Sequence, residues 1–190
     1  RTTAFLAGLA LLFGACRSSP TATRPFDRSA DRRAVLETVL ATFVTSEVTQ
    51  LVVNPRLSPG LEETSKNYPA NVRRDTLVDF YGRLGVALPV DLRVGVPIVR
   101  FGEADWDALP VSAEDASGSV QPRWDAFDRK FPGAAGHITL SDIGFSQDGR
   151  QAFLHVWQGE ASLSGEGHYV LLARRGDRWV IVDRVVTAMA

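Results

Sequence analysis

The stretch FPGAAGHITLSDIGFSQDGRQAFLHVWQGEASLSGEGHYVLLARRGDRWVIVDRVV, Phe131 to Val186, holds four β-rich runs separated by turn signals at Asp148-Gly149, around Gly159-Glu160 and at Gly176-Asp177. Short apolar-alternating runs joined by such dipeptides are the pattern of an antiparallel meander. If the turns set the register, the core face carries Phe145, Leu154, Val156, Tyr169, Leu171, Val180 and Val182, and a one-residue slip would expose them all.

Upstream of this stretch the period changes from two to 3.6. From Asp31 to about Gln50, Val35, Leu36, Val39, Leu40, Phe43 and Val44 fall on one helical stripe, with Asp31 or Ser29 near its start. Leu51-Val52-Val53 reads as a short β-rich run ended by Asn54-Pro55. Asp75 is placed to cap a second helix bearing Leu77, Phe80, Tyr81 and Leu84, with Gly85 as its left-handed terminator. Leu92 to Phe101 alternates as a strand, and Pro97, which cannot donate to a ladder, marks it as an edge or a bulge. Gly102 to Gly118 reads as an acidic surface loop. Pro122 then opens a short helix carrying Trp124, Phe127 and Phe131. Helices followed by an antiparallel sheet give the α+β class, with N-terminal helices packed on a C-terminal four-stranded meander.

The N-terminus reads as an address. Arg1, the apolar run Ala4 to Phe13 and then Gly14-Ala15-Cys16 make a basic start, an apolar core and small residues before a cleavage point, which is a secretory signal. It resembles bacterial lipoprotein signals, in which the cysteine after two small residues is lipidated and becomes the mature N-terminus; Phe13 stands where those signals usually carry Leu. Residues 1–16 are therefore assigned as a lipoprotein-type signal with Cys16 as the lipidation site. Residues 17–30, rich in Ser, Thr, Pro and Arg, are assigned as a flexible tether, and 31–190 as one globular domain. This implies an exported protein, membrane-anchored in the bacterial cell envelope, with its domain outside the cytoplasm. Cys16 is the one cysteine of the chain, so a disulfide or a cysteine-ligated metal within it is excluded. The 21 basic and 22 acidic residues are interspersed, which argues against nucleic acid as a partner.

Trp124-x-x-Phe127, Phe131-Pro132-Gly133-x-x-Gly136-x-Ile138-x-Leu140-Ser141-x-x-Gly144-Phe145, Leu163-x-Gly165-x-Gly167-x-Tyr169-Val170-Leu171-Leu172 and Trp179 together resemble a family of uncharacterised bacterial exported proteins and lipoproteins. The resemblance implies export and fold, and no chemistry. Where that family closes on Trp-x-Ser, this chain has Thr187-Ala188-Met189. Element order is also similar to the cone-shaped domain of the nuclear transport factor 2-like superfold, which hosts both enzymes and binders. Gly165 and Gly167 alternate on one side of a strand and read as a place where a helix or another backbone comes close. No helix follows to make a phosphate cradle of them.

Counting back from the turns places Asp142 opposite His155 and His155 opposite Ser164, an acid-imidazole-hydroxyl row on one sheet face with neighbouring Cβ atoms about 4.5 to 5.5 Å apart. A bulge at Gly144 would break the row. These are the catalytic candidates, although a flat row lacks a strained nucleophile turn and oxyanion donors. Trp157, as a stacking ring if its face lines a cavity, Glu166 and His168 are the binding candidates. His137, His155 and His168 form no short ligand spacing, so no metal and no cofactor is expected. The resulting expectation is an envelope lipoprotein with a non-catalytic domain for a small molecule or an envelope protein. The alternative is a small hydrolase- or isomerase-like enzyme using an Asp/His pair.

Overall fold

The computed structural model describes residues 24–58, 67–83, 85–110, 121–161 and 164–189, so the expected signal segment, Cys16 and the first half of the expected tether lie outside the described residues. The architecture is α+β, with four helices among the described residues and one open, mostly antiparallel sheet of seven strands. Helix α1 (Arg28–Leu40) continues into a 3-10 turn, followed by β1 (Gln50–Val53), α2 (Arg74–Tyr81), β2 (Ile98–Arg100), α3 (Glu103–Asp107) and α4 (Gln121–Lys130). The chain then runs through β3 (Ala134–Leu140), β4 (Gly144–Phe145), β5 (Gln151–Ala161), β6 (Ser164–Arg175) and β7 (Arg178–Met189). The sheet order is β2-β1-β3-β5-β6-β7, with β4 pairing on β5 beyond the end of β3.

The sheet is therefore larger than the four strands expected. Leu51, Val52 and Val53 are all buried, and a strand apolar on both faces needs cover on both; β1 accordingly lies inside the sheet, parallel to β2 and β3. Of the strand expected over Leu92 to Phe101 only Ile98–Arg100 forms, as the sheet's edge, with the Pro97 carbonyl accepting from Leu51 N at 2.9 Å. Part of the expected acidic loop is helical: α3 begins where Gly102 N donates to the Asp105 carboxylate at 2.7 Å.

Packed structure begins earlier than the expected boundary at residue 31. Asp27 caps α1, its carboxylate accepting from Ser29 N and Ala30 N, so the helix starts at Arg28. Asp31, 1% exposed, instead ties α1 to the rest: it accepts from the Arg24 guanidinium at 2.6 Å, Asp27 N at 2.8 Å and the Trp179 indole at 3.0 Å. Phe26 packs on Phe145. Helix α2 also shifts: Arg73 stands at its cap, Asp75 lies in the first turn, and the helix ends at Tyr81, well before Gly85.

Both faces of the sheet are covered. On one, the α1 stripe Val35, Leu36, Val39 and Leu40 packs against Ile138, Leu140, Leu154, Val156, Val170 and Leu172. Each such side chain contributes roughly 1.5–3 kcal/mol by leaving water. On the other, Phe153, Tyr169 and Leu171 meet Phe80 of α2, and Val52 meets Phe101, Phe127 and Phe131. The expected single core face is thus split. Leu154 pairs with Val170, so Tyr169 and Leu171 point away from Leu154 and Val156, while Val180 and Val182 are 44% and 46% exposed. Strand β5 runs on to Ala161, which faces Ser164, so the β5–β6 register differs from one reversing at Gly159-Glu160.

Two glycines permit close approaches. At Gly144 a Cβ would lie 2.5 Å from the Thr76 carbonyl oxygen and 2.6 Å from Phe80 Cβ, so α2 packs this close to β4 because residue 144 has no side chain. Gly136, at φ +77, sits where the β1–β3 register shifts, and a Cβ would overlap the Gly159 carbonyl oxygen.

Candidate functional site

The N-terminal half of α1 borders a cleft of about 370 Å³ lined by Arg28, Ser29, Arg32, Arg33, Arg83, Val86, Pro89, Asp142, Ile143 and Phe145. The helix places Arg28 and Arg32 one turn apart on the same side. Arg28 donates to Asp79 at 2.9 Å and lies over the Phe145 ring, 5.3 Å from its centroid. Arg83, just after α2, reaches the same Asp79 carboxylate. Arg33 pairs with Asp91 at 2.7 Å, and Arg32 stands 3.3 Å from Asp142. Burial works against the Asp79 charge, yet donation from Arg28, Phe145 N and Arg83 holds its carboxyl below the ordinary value.

Four guanidiniums lining this cleft thus meet three carboxylates, leaving a positive surplus over an apolar wall of Val86, Pro89, Ile143 and Phe145. Arg32 is the least satisfied of the four. Its Nε and Nη2 are buried and make no hydrogen bond, so its charge is compensated only by the Asp142 carboxylate lying outside hydrogen-bond geometry. Chemically, such a cleft selects an anionic group joined to an apolar one.

The expected row of Asp142, His155 and Ser164 does not form. Gly144 faces Phe153 and Phe145 faces Ala152, the register counted from the turn, but Leu140 faces Val156, so one extra residue is absorbed across Ser141–Ile143. Ser141 takes the place meant for Asp142: its N donates to the His155 carbonyl at 2.9 Å, and its hydroxyl accepts from His155 N at 2.7 Å. Asp142 turns instead to Arg32 on the α1 face and accepts from Ile143 N. His155 faces Tyr169, and Ser164 is exposed opposite Ala161.

His155, 7% exposed, lies on the aromatic face with Nε2 2.9 Å from the Thr187 hydroxyl. Burial pushes its imidazole down to about 4, and neighbouring His168 acts in the same direction. Trp157 is half-buried over the backbone of Gly165 and Gly167; a Cβ at Gly165 would meet this indole and the Gln158 carbonyl, and one at Gly167 the Thr187 hydroxyl and the same ring, none of these from a helix. His168 pairs with Glu166 at 3.0 Å on the α1 side of β6, away from Trp157, so the three binding candidates do not converge. His137, whose imidazole is lowered by burial against a partial offset from the Phe101 carbonyl, is enclosed by Phe101, Trp106 and Phe127. The hydroxyls of Tyr68 and Tyr81 bond one another beside Tyr169, and burial raises the phenols of Tyr81 and Tyr169, which keeps both protonated. Among the described residues no group of three or more His, Cys, Asp or Glu is placed to hold a metal ion.

The arginine cleft was missed in the sequence because Arg28 stood in the presumed tether and Arg83 lies 50 residues beyond Arg33. The available signal was the spacing Arg28-x-x-x-Arg32-Arg33 at a helix start. No protein-family model, curated protein or solved structure matches the chain.

Proposed function

We propose that this chain is an exported bacterial cell-envelope lipoprotein, anchored through a lipidated Cys16, whose globular domain is a non-catalytic binding module with the arginine cleft as its ligand site. The observation that carries the binding reading is the cleft itself: a guanidinium surplus beside an apolar wall, while Asp142, His155 and Ser164 are dispersed over two faces and a hairpin end. The anchor reading rests on the apolar run ending in Gly14-Ala15-Cys16 and on the resemblance to exported proteins and lipoproteins. The finer fold reading, a nuclear transport factor 2-like cone built on a four-stranded meander, is supported by helices preceding the antiparallel succession β3, β5, β6, β7 and by α1 lying along one face of those strands.

Two measurements test this function. Metabolic labelling with palmitate should mark the parent and not Cys16→Ser, and only the labelled form should enter the detergent phase; a labelled Cys16→Ser would overturn the anchor. A photoreactive residue at Val86 should capture the occupant of the cleft in native envelopes, whereas one at Arg129 on α4 should not. Equal capture at both positions would overturn the binding site.

A further inference from the structure

We propose that the arginine cleft between α1 and the segment following α2 binds the phosphate of an anionic membrane lipid, seating the domain on the bilayer by its α1 N-terminal end. This rests on the envelope-anchored reading for its geometry, and on three observations for its chemistry.

The first is charge. Lipid phosphate is the kind of anion that a fork of guanidiniums recognises, and the cleft carries one guanidinium more than its paired carboxylates, with Arg32 under-satisfied.

The second is the apolar surface beside that charge. Val86 lines the cleft and is exposed, and Val90, 86% exposed, sits between cleft-lining Pro89 and Asp91, the partner of Arg33. Valines held in water within an arginine rim match an interfacial surface, where the apolar groups enter the headgroup boundary and the cations meet phosphate.

The third is reach. Eight residue steps separate Cys16 from Arg24, at most about 29 Å of chain. Arg24 is bonded to Asp31 of α1, the helix that carries Arg28, Arg32 and Arg33, so a lipid on Cys16 keeps this end of the domain close to the membrane surface. The trade inside the cleft is also feasible. Arg33–Asp91 is an exposed pair of little net worth, and Asp79 is shared by two arginines, so a phosphate can recruit Arg33 or Arg83 without stranding a buried charge.

The test uses the full chain carrying Cys16→Ser, so that anchoring plays no part, in flotation with phosphatidylcholine vesicles with and without phosphatidylglycerol. The parent should partition more strongly onto the anionic vesicles. Arg33→Gln combined with Arg83→Gln should weaken that gain by roughly fivefold per charge, about 25-fold in all. Arg123→Gln combined with Arg129→Gln, the same charge change on α4 across the sheet, should leave it nearly unchanged. Val86→Ser with Val90→Ser, which alters no charge, should also weaken binding and guards against a folding defect in the arginine pair. Equal losses from the two arginine pairs would reduce the effect to net charge and overturn the site. So would saturable binding of inorganic phosphate at the cleft with no preference for anionic vesicles, which would mark a site for free small anions. Because every arm lacks the lipidated cysteine, failure here leaves the palmitate result standing, and failure of the palmitate experiment leaves this one interpretable.

Discussion

The two faces of the sheet are built from different materials. The centre of the α1 face is an aliphatic interlock, Val35, Leu36, Val39 and Leu40 against the branched side chains of β3, β5 and β6, with Phe43, Phe145 and Trp179 at its edges and charge at its margin, where Asp31 is buried and the arginine cleft opens. The opposite face is aromatic: Phe80, Phe153 and Tyr169 in one cluster, Phe101, Trp106, Trp124, Phe127 and Phe131 in another, with His155 and His137 enclosed near them. Polar groups on the aromatic face are satisfied within it, buried His155 by Thr187, half-buried His137 by the Phe101 carbonyl, and Tyr68 by the more exposed Tyr81. Around the cleft the charges are only partly spent. The contrast teaches where to look for a ligand: residue types associated with catalysis lie where they hold structure, and the under-satisfied charge lies where helix and loop leave a gap.

The largest effects are expected at neighbouring residues of β5. Phe153 and Leu154 are both fully buried but face opposite sides. Phe153→Ala should cost about 3–5 kcal/mol and Leu154→Ala about 2–5 kcal/mol in denaturant unfolding. If either midpoint stayed at the parent value, that side of the sheet would not be covered as described.

The next effect is pH. Burial lowers the folded-state imidazole of His155 to about 4, below its ordinary value, so the unfolded chain binds the proton more tightly. Stability from this group is full above about pH 6.5 and is lost as pH falls toward 4, by about 3 kcal/mol in total. His137 is displaced in the same direction. His155→Gln should flatten the stability profile over that window; an unchanged slope would mean that the imidazole is not buried neutral on the aromatic face.

The smallest effect sharpens the contrast at the rim. Val182→Ser, at a position expected in the core and found half exposed, should change stability by no more than about 0.5 kcal/mol. A cost near that of Leu154→Ala would restore a single core face extending to β7.

How much was legible follows from how far each signal reaches along the chain. The α+β class, the α1 stripe, the α4 aromatics and the Gly176-Asp177 turn are local patterns, and Arg175 does face Arg178 across that turn. Register was harder. A slip of one residue in Ser141–Ile143 moved Asp142 from beside His155 to beside Arg32, and the extension of β5 to Ala161 together with the register shift between Gly159 and Ala161 set His155 opposite Tyr169. Nothing local to Gly159-Glu160 told against a turn there; the strand continues because Gln158 and Gly159 find partners in Glu166 and Gly165. The cleft was least legible, since its arginines come from α1 and from a loop that meets it only in three dimensions, and the sole local hint, Arg28 four residues before Arg32, sat in a stretch whose Ser, Thr and Pro content read as linker.

The most direct test of the claim that ligand recognition belongs to the α1 margin rather than the aromatic face is an amide chemical-shift titration of the full chain carrying Cys16→Ser with bicelles containing phosphatidylglycerol. The perturbed amides should be those of Arg28, Arg32, Arg33, Arg83, Val86 and Ile143, with Phe153, His155, Trp157 and Tyr169 unmoved. Perturbations centred on His155, Trp157 and Tyr169, with the cleft amides silent, would contradict it.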